Sequence, residues 1–461
     1  MQTTFSNYSF LSTLKKYADS SFGLIFFTVL ALFCANVPIV KDWYFSLWQN
    51  PVHLSVGGFN FFSHSGHALS LGQVINDFIM AIFFLSVGIE IKREILVGEL
   101  SSREKAMLPV IGALGGMIVP TLIFWCICPD DPVMRRGLAI PMATDIAFSL
   151  GVLALFKSRV PIGLKVFLAT LAVADDLGGI LVIAVFYTSE INLGFLLMSV
   201  LCVGIMVAAN SYKCHSKNFY VLAGVILWYF MLNSGLHATI AGVITAFCIP
   251  ATLRNGTGYY LERIRSNIEQ FPVAEVNDKN AAIVLEKDDI HRLKSIESAA
   301  DKMISPLQAL EDNLHGIVSF LVIPLFVFAN AGIDMSQMSF CSLFSGVGLV
   351  VMISLVAGKF LGVLSFSWLA VKMNVVRLPE NTTWPAFAGV CMICGIGFTV
   401  SMFIADLSYS GGAGMSSGLL AEAKLGVLAG SIISALLGVV LLGRCLPQKS
   451  DKNARKSKNM I

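Results

Sequence analysis

The chain has 461 residues, of which 56% are hydrophobic and 13% charged, with a formal net charge of +3 and a mean hydropathy of +0.76. An ordinary soluble domain carries about 25% charged residues, so this composition excludes that class. The long apolar runs are continuous rather than alternating, which favours membrane helices over a membrane β-barrel. The sequence therefore predicts an all-α polytopic membrane protein.

Apolar runs long enough to cross a bilayer follow a polar segment, residues 1–21. The first run, 22–40, is longer than the apolar core of a signal peptide, so we expect an uncleaved membrane helix. Residues 41–70 are rich in aromatic residues and glycine, and the stretch near 51–62 predicts a β-hairpin outside the membrane. Eleven further spans bring the predicted total to 12 transmembrane helices: 71–97, 107–128, 133–156, 162–187, 194–212, 217–232, 235–251, 306–332, 343–370, 385–409 and 418–444.

Basic residues cluster on one side of this predicted topology. The termini and alternate loops carry most of the Lys and Arg residues. The opposite loops carry only Lys41, Arg135, Arg136 and Lys424. Because loops rich in Lys and Arg stay in the cytoplasm, both termini are predicted to be cytoplasmic. Helices I–VIII then occupy 22–251, helices IX–XII occupy 306–444, and 445–461 forms a cytoplasmic tail.

One polar segment, 252–305, interrupts the apolar pattern. It carries apolar residues at helical spacing: Leu285, Ile290, Leu293 and Ile296. This spacing predicts a cytoplasmic insertion with an amphipathic helix that lies on the protein or on the membrane surface.

Three carboxylates, Asp145, Asp175 and Asp176, lie near the middle of predicted spans. A charged side chain at a helix centre costs about 2.5–3.5 kcal/mol on the insertion scale, so we expect these residues to handle a positive charge. Asp175 and Asp176 are adjacent on one helix, and their side chains point about 100° apart. Two such carboxylates cannot both ionise cheaply at this depth, which suits a group that alternately holds a proton and a cation. Gly178 and Gly179 follow, where we expect another backbone to approach closely.

Two spans carry signals of interruption. Pro141 removes a backbone donor just before Asp145, so we predict a break near 140–146. A second break is predicted within 394–403, where Gly395 and neighbouring glycine and hydroxyl residues loosen the backbone. Two interrupted helices indicate a binding site in the middle of the membrane, and Asp145 would compensate the positive ends of the half-helices.

Lys359 lies deep inside an apolar run, about ten residues from either end of its helix. Gly358 and Gly362 flank it in a GxxxG pattern that lets a neighbouring helix approach closely. A lysine at this depth needs a carboxylate partner, and either Asp175 or Asp176 could supply it.

Other titratable residues lie nearer the ends of predicted spans. Glu90, Arg93 and Glu94 close the second span, and Glu311 starts the ninth. They are either ordinary interfacial charges or a titratable cluster at the cytoplasmic entrance that senses pH. His237 lies in an apolar run, where a packing role is favoured over that of a ligand.

Three other function classes are less consistent with these residues. A Na+-coupled solute symporter of related architecture stays open, although it requires a larger polar cavity. An intramembrane aspartyl protease needs two carboxylates that share a proton, whereas a nearby lysine favours two ionised groups. A passive channel does not need a proton-exchanging pair beside a buried lysine.

Taken together, the motifs ATDIAFSLGVLAL, LAVADDLGG, INDFIMAIFFLSVGIEIKRE, GKFLGV and CGIGFTVSMFIA identify a family. The chain resembles the bacterial Na+/H+ antiporter of the NhaA type over nearly all of its length apart from the termini and 252–305. This resemblance implies an electrogenic, pH-regulated exchanger of Na+ or Li+ for H+ in the bacterial inner membrane. It also implies inverted-topology repeats with two interrupted, crossing helices, a homodimer through the hairpin near 51–62, no cofactor, no nucleic acid and no enzymatic activity.

The resemblance also implies roles for individual residues. Asp175 and Asp176 match the essential cation- and proton-binding pair, with Asp176 the chief Na+ ligand and Asp175 the partner of Lys359. Thr144 and Asp145 match residues at the helix crossing. The remaining matches are Asp77 as a periplasmic carboxylate, and Glu90, Arg93, Glu94 and Glu311 as the pH-sensing region.

The chain departs from the family pattern at several places. The segment 252–305 is longer, Asp312 stands where a histidine is typical, and Gly316 replaces a proline. Asp406 adds a carboxylate to the eleventh span.

Overall fold

A computed structural model describes residues 22–57, 59–64, 67–156, 159–186, 191–253, 256–270, 287–337, 346–380, 382–410 and 417–446. The helices of the first half are α1 (Phe22–Asn36), α2 (Pro38–Gln49), α3 (Leu71–Leu96), α4 (Arg103–Ile127), α5 (Met134–Met142, wound as a 3₁₀ helix), α6 (Ile146–Ala154), α7 (Ile162–Phe186), α8 (Leu193–Ser211), α9 (Lys217–Ser234) and α10 (Ile240–Cys248). Those of the second half are α11 (Thr257–Glu269), α12 (Lys287–Lys302), α13 (Pro306–Asn330), α14 (Gly346–Lys372), α15 (Trp384–Ile393), α16 (Phe398–Tyr409) and α17 (Ser417–Cys445).

The described residues contain seven single helices that are long and apolar enough to cross a membrane, and three bent helix pairs that raise the total to at most ten. Helices occupy all twelve predicted positions, but α9 and α10 do not meet this test. With nine residues, α10 is about 14 Å long, whereas the hydrocarbon core is about 30 Å thick. A twelve-span topology therefore stays a prediction.

The first predicted span, 22–40, is not one straight helix. It ends at Asn36, and α2 leaves at 108° to α1. The cause is Pro38, which disfavours helical geometry at the residue before it, and Val37 is extended (φ −83°, ψ 118°). Tyr44 of α2 then donates a hydrogen bond of 2.5 Å to the Phe328 carbonyl, which fixes α2 against α13.

The predicted hairpin is present between α2 and α3, followed by a second one. The strands are β1 (Ser55–Val56), β2 (Phe59–Asn60), β3 (Ser63–His64) and β4 (His67–Ala68). They pair as β1–β2 and β3–β4, both antiparallel, with registers Ser55↔Asn60 and Ser63↔Ala68. Between the hairpins, the ring of Phe61 lies 5.5 Å from that of Trp228 in α9, which anchors this region on the helices.

The membrane helices pack chiefly in two groups. We call α4–α7 with α14–α17 the site bundle, and α1–α3 with α8–α10 and α13 the companion bundle. Between them, the ring of Phe403 in α16 contacts Phe84 of α3 and Phe326 of α13, with centroids 5.5 and 6.3 Å apart. This part of the interface is apolar.

Two opposite ends of the companion bundle serve as reference points. Helix α3 begins and α13 ends at what we call the Asn330 end, whereas α3 ends and α13 begins at the Arg93 end. At the Asn330 end, Lys41 and Asp334 form a 2.6 Å ion pair within the companion bundle. Burial alone raises the pKa of Asp334, but hydrogen bonds from Lys41 and Ser336 outweigh burial and hold that pKa below its ordinary value.

The 252–305 segment contains two helices that pack against each other, α11 and α12. Residues 271–286, including Leu285, lie outside the described residues. On α12, the predicted apolar residues Ile290 and Leu293 are exposed, and the buried side chain is that of Ala299. The predicted amphipathic face is thus only partly covered.

Close backbone packing joins α4 to α14, as the glycines beside Lys359 predicted. A Cβ atom at Gly362 would lie less than 3.0 Å from the carbonyl oxygen of Gly115, and one at Gly358 would lie 2.6 Å from Cα of Pro120. Since real Cβ atoms do not approach backbone atoms so closely, both positions require glycine for this helix contact. This close contact between α4 and α14 holds Lys359 in the protein interior.

The Gly362→Ala substitution is expected to lower the free energy of unfolding by about 1–3 kcal/mol, because the added methyl group forces α14 away from α4. Thermal unfolding of the detergent-purified protein measures the effect. The matched control is Gly204→Ala in α8, where a Cβ atom meets nothing within 4 Å. Equal melting temperatures for the two variants would contradict this account of the packing.

Candidate functional site

Both predicted helix breaks are present, and they touch. The first comprises residues 143–145 between α5 and α6, and the second comprises 394–397 between α15 and α16. Pro141 itself lies inside the 3₁₀ helix α5, so the break follows it by two residues. The Asp145 amide donates a 2.7 Å hydrogen bond to the carbonyl of Ile396, which ties the two breaks together.

Asp145 caps two helices at once. Its Oδ1 atom accepts a 3.0 Å hydrogen bond from the Phe148 amide of α6. Its Oδ2 atom accepts bonds from the Thr399 amide (3.1 Å) and hydroxyl (2.5 Å) at the start of α16. Helix N-termini carry partial positive charge, so one carboxylate compensates both. This explains how Asp145 is tolerated with only 2% of its surface exposed.

Lys359 pairs with Asp175, the partner that the family resemblance implied and that the residues alone had left open between Asp175 and Asp176. The Lys359 Nζ atom lies 2.5 Å from Asp175 Oδ2, and neither side chain is exposed. A five-residue π-helical turn, Ser354–Gly358, immediately precedes Lys359 in α14. Such a turn rotates the side chains that follow it about the helix axis, and π-helical turns are common at functional sites.

Thr144 connects this ion pair to the second break. Its hydroxyl lies 2.8 Å from Asp175 Oδ2 and 3.0 Å from the Cys394 carbonyl oxygen. A hydroxyl has one hydrogen to donate, so it cannot make two full bonds to two acceptors. The direction of its bond therefore depends on whether Asp175 carries a proton.

Asp176 follows Asp175 on α7 and is 4% exposed. Its Oδ1 atom and the Oδ1 atom of Asp175 are buried and have no hydrogen-bond partner among the residues that the structure describes. The expected close approach of another backbone at Gly178 and Gly179 is wrong. A Cβ atom at Gly178 would meet the side chain of Met117, and one at Gly179 would meet nothing within 4 Å. Open space therefore lies one turn along the helix from Asp176.

The oxygen atoms at this site have the chemistry of ligands for a hard cation. Hard cations take oxygen ligands, and the two unpartnered carboxylate oxygens are of this kind. Within the described ranges, no three His, Cys, Asp or Glu side chains group closely enough to hold a metal ion. Burial of unpartnered carboxylate oxygens is costly, so a proton or a cation at these oxygens lowers the free energy of the site.

The residues predicted to sense pH lie together at the Arg93 end. The Arg93 guanidinium is 3.2 Å from Glu94 Oε1 and 3.0 Å from Glu311 Oε1, which links α3 to α13. Glu90 lies one turn earlier on α3, and none of the ion pairs among the described residues includes it. Lys92 instead donates to the carbonyls of Phe247 (2.7 Å) and Ile249 at the C-terminal end of α10.

Two further predicted residues lie elsewhere in the companion bundle. Asp77 lies in a π-helical turn of α3, Ile75–Ile79, where its carbonyl accepts a 3.0 Å hydrogen bond from the Trp228 indole. His237 lies in the turn between α9 and α10, where its carbonyl accepts from the Ile240 amide.

The sequence reasoning missed a polar cluster at the Asn330 end. Asn76 donates to Asp406 Oδ2 and accepts a 2.8 Å hydrogen bond from Asn330. Lys424 donates to Asn330 Oδ1 (3.2 Å) and lies 3.7 Å from Asp406 Oδ1. From the sequence alone, Asp406 is only an additional carboxylate in the eleventh predicted span. Each of these residues is polar within an apolar run, and this was the only signal in the sequence. Because the four residues belong to separate segments of the chain, the sequence did not indicate that they meet.

Comparison with known proteins identifies the family of this chain. The family model described as Na+/H+ antiporter 1 matches residues 12–442. A relative from Phocaeicola vulgatus named Na(+)/H(+) antiporter NhaA is 48% identical over 444 residues, covering 96% of this chain and 97% of the relative. Relatives of the same name from Bacteroides thetaiotaomicron and Glaesserella parasuis are 46% and 39% identical, covering 96% and 94% of this chain and 99% and 95% of their own lengths. The chain therefore belongs to the Na+/H+ antiporter 1 family.

Proposed function

We propose that this chain is a Na+/H+ antiporter in which Na+ or Li+ competes with H+ for Asp175 and Asp176. The observation that carries the proposal is the fully buried Lys359–Asp175 ion pair beside two carboxylate oxygens for which the described part of the chain offers no hydrogen-bond partner. The relatives are named Na(+)/H(+) antiporter NhaA, which supports the same exchange for this chain. The proposed reaction moves Na+ and H+ across the membrane and, apart from proton transfer, makes and breaks no covalent bond, so the protein acts as a transporter and needs no cofactor.

Competition follows from the way the charges are paired. A Na+ ion that binds between Asp175 and Asp176 takes the place of the proton on Asp176 and of the ammonium group beside Asp175. Lys359 is then left without a counter-ion in a fully buried position, which is strongly unfavourable for a charged group. It therefore gives up a proton as Na+ enters.

This scheme accounts for electrogenic exchange. One Na+ displaces two protons, one from Asp176 and one from Lys359. In each cycle two positive charges move inward and one moves outward, so the membrane potential contributes to Na+ export. The expected exchange is therefore sensitive to voltage.

Alternating access is proposed to arise from movement of the site bundle against the companion bundle. Asp145, Asp175 and Lys359 belong to one bundle and would move as a unit, while the apolar contacts of Phe403 allow sliding because they are not directional.

The proposal retains three expectations from the family: twelve spans with inverted repeats, an inner-membrane position with both termini cytoplasmic, and a homodimer through the hairpin near 51–62.

Asp176→Asn is expected to reduce Na+/H+ exchange to below about 1% of the wild-type rate, because an amide cannot alternate between a proton and Na+. The assay is ²²Na+ flux in everted vesicles, without added solute so that a solute symporter is also tested. The control is Asp130→Asn, at a carboxylate whose side chain is 88% exposed. Full exchange by the Asp176→Asn variant would refute the site, and flux that requires a solute would favour the symporter.

The double variant Asp175→Asn, Lys359→Gln is expected to make any remaining exchange independent of voltage, since it removes one of the two proton carriers and leaves no unpaired carboxylate at residue 175 to take up a proton in its place. The measurement is Na+ flux in proteoliposomes at imposed potassium diffusion potentials. Lys372→Gln, at the exposed end of the same helix, should keep the voltage dependence of the wild type. Unchanged voltage dependence in the double variant would exclude Lys359 as a proton carrier.

We further propose that the Arg93–Glu94–Glu311 contact at the Arg93 end senses pH, because protonation of either carboxylate removes a counter-ion of Arg93. Glu311→Gln is expected to make the pH dependence of exchange shallower. Glu104→Gln, at an exposed position at the start of α4, should leave the profile unchanged. A wild-type profile in the Glu311→Gln variant would assign this contact a purely structural role.

A further inference from the structure

Four polar residues cross the interface between the two bundles at the Asn330 end. Asp406 and Lys424 belong to the site bundle, and Asn76 and Asn330 belong to the companion bundle. The contacts Asn76–Asp406 and Asn330–Lys424 each join one bundle to the other, while Asn76–Asn330 and Lys424–Asp406 connect the two residues within each bundle. The four side chains thus form a closed ring across the interface.

The ring is sheltered from solvent. The side chains of Lys424 and Asp406 are 11% and 17% exposed, and Asn330 is buried. Water therefore competes weakly for these polar groups, and hydrogen bonds that involve a charged partner are stronger than neutral ones. Such contacts hold a defined geometry more firmly than a surface ion pair does.

The ring is also placed where movement must disturb it. The interface beside it consists of aromatic contacts between Phe403, Phe84 and Phe326, which tolerate sliding. Hydrogen bonds weaken steeply with distance and angle, so a shift of several ångströms between the bundles breaks both crossing contacts. A π-helical turn places Asn76 in α3, and Asn330 is the last residue of α13. Both partners in the companion bundle are thus held at helix positions rather than on loops.

We propose that Asn76, Asn330, Asp406 and Lys424 form a latch that closes access to the Asp175–Asp176 site from the Asn330 end, and that this latch must open in every transport cycle. The inference rests on the proposed function in one respect: it assumes that the two bundles move against each other. In the sequence-based topology the Asn330 end faces away from the cytoplasm, so the latch would control the release of Na+ and the entry of H+.

The test is reversible cross-linking in a chain whose ten native cysteines are replaced by alanine. Asn76→Cys with Asp406→Cys places two thiols at the latch. After oxidation, exchange in proteoliposomes should fall at least about tenfold, and a reductant should restore it. The matched control is Lys41→Cys with Asp334→Cys, a contact at the same end but within the companion bundle, and its oxidation should leave exchange unchanged.

The outcomes separate the latch from the exchange reaction itself. Exchange by the reduced variants establishes that the transporter works, whatever the cross-link then does. Full exchange by the Asn76–Asp406 pair, with cross-linking complete by mass spectrometry, would overturn the latch and leave the antiport function intact. Equal inhibition of the control pair would also overturn it, because any cross-link at this end would then be inhibitory.

A second measurement covers the case in which the paired cysteine variant is inactive before oxidation. Lys424→Met removes one crossing contact and keeps a side chain of similar length. Amide hydrogen exchange in α16 and in the first turn of α3 should rise at least about fivefold in this variant, since the latch opens more often. Lys372→Met, on the exposed end of α14, is the control. Unchanged amide exchange in Lys424→Met would contradict the proposal.

Discussion

The site depends on a charge pair that has no access to water. The Lys359 ammonium and the Asp175 carboxylate lie 2.5 Å apart with neither exposed, so each is the main reason that the other is tolerated. Removal of one partner leaves a buried charge uncompensated, and this destabilises a protein far more than replacement of both residues by well-packed apolar ones. The glycine contacts between α4 and α14 bring Lys359 to this depth, and α7 brings Asp175. The packing of α4 against α14 therefore determines whether this ion pair can form.

The crossing of the two interrupted helices extends this pair into a larger network. Asp145 compensates the partial positive charge of two helix N-termini with its own carboxylate. Thr144 lies next to it in the chain and contacts both Asp175 and the Cys394 carbonyl. When Na+ replaces the ammonium group of Lys359 beside Asp175, the Thr144 hydroxyl therefore connects that change to the second break. The charge state of the site and the arrangement of the half-helices are connected over a few ångströms.

Local chemistry made part of this arrangement predictable. Proline, glycine and hydroxyl residues located both helix breaks, and the GxxxG pattern anticipated the close contact beside Lys359. Adjacency in the sequence could not decide between Asp175 and Asp176 as the partner of Lys359, because that depends on how α7 is rotated. The 108° turn at Pro38 and the shortness of α10 were not predicted, because hydropathy indicates which residues avoid water. It does not indicate where a helix bends or ends. The ring of Asn76, Asn330, Asp406 and Lys424 was missed because its members lie up to 348 residues apart, from 76 to 424.

The central claim is that Na+ and H+ compete for one pair of carboxylates. Its most direct test is to add Na+ to the purified protein in weakly buffered solution and to count the protons released for each Na+ bound. The account predicts that about two protons leave per Na+, that the release saturates with Na+ binding, and that Asp176→Asn abolishes both. Binding of Na+ to the wild-type protein without proton release would contradict it.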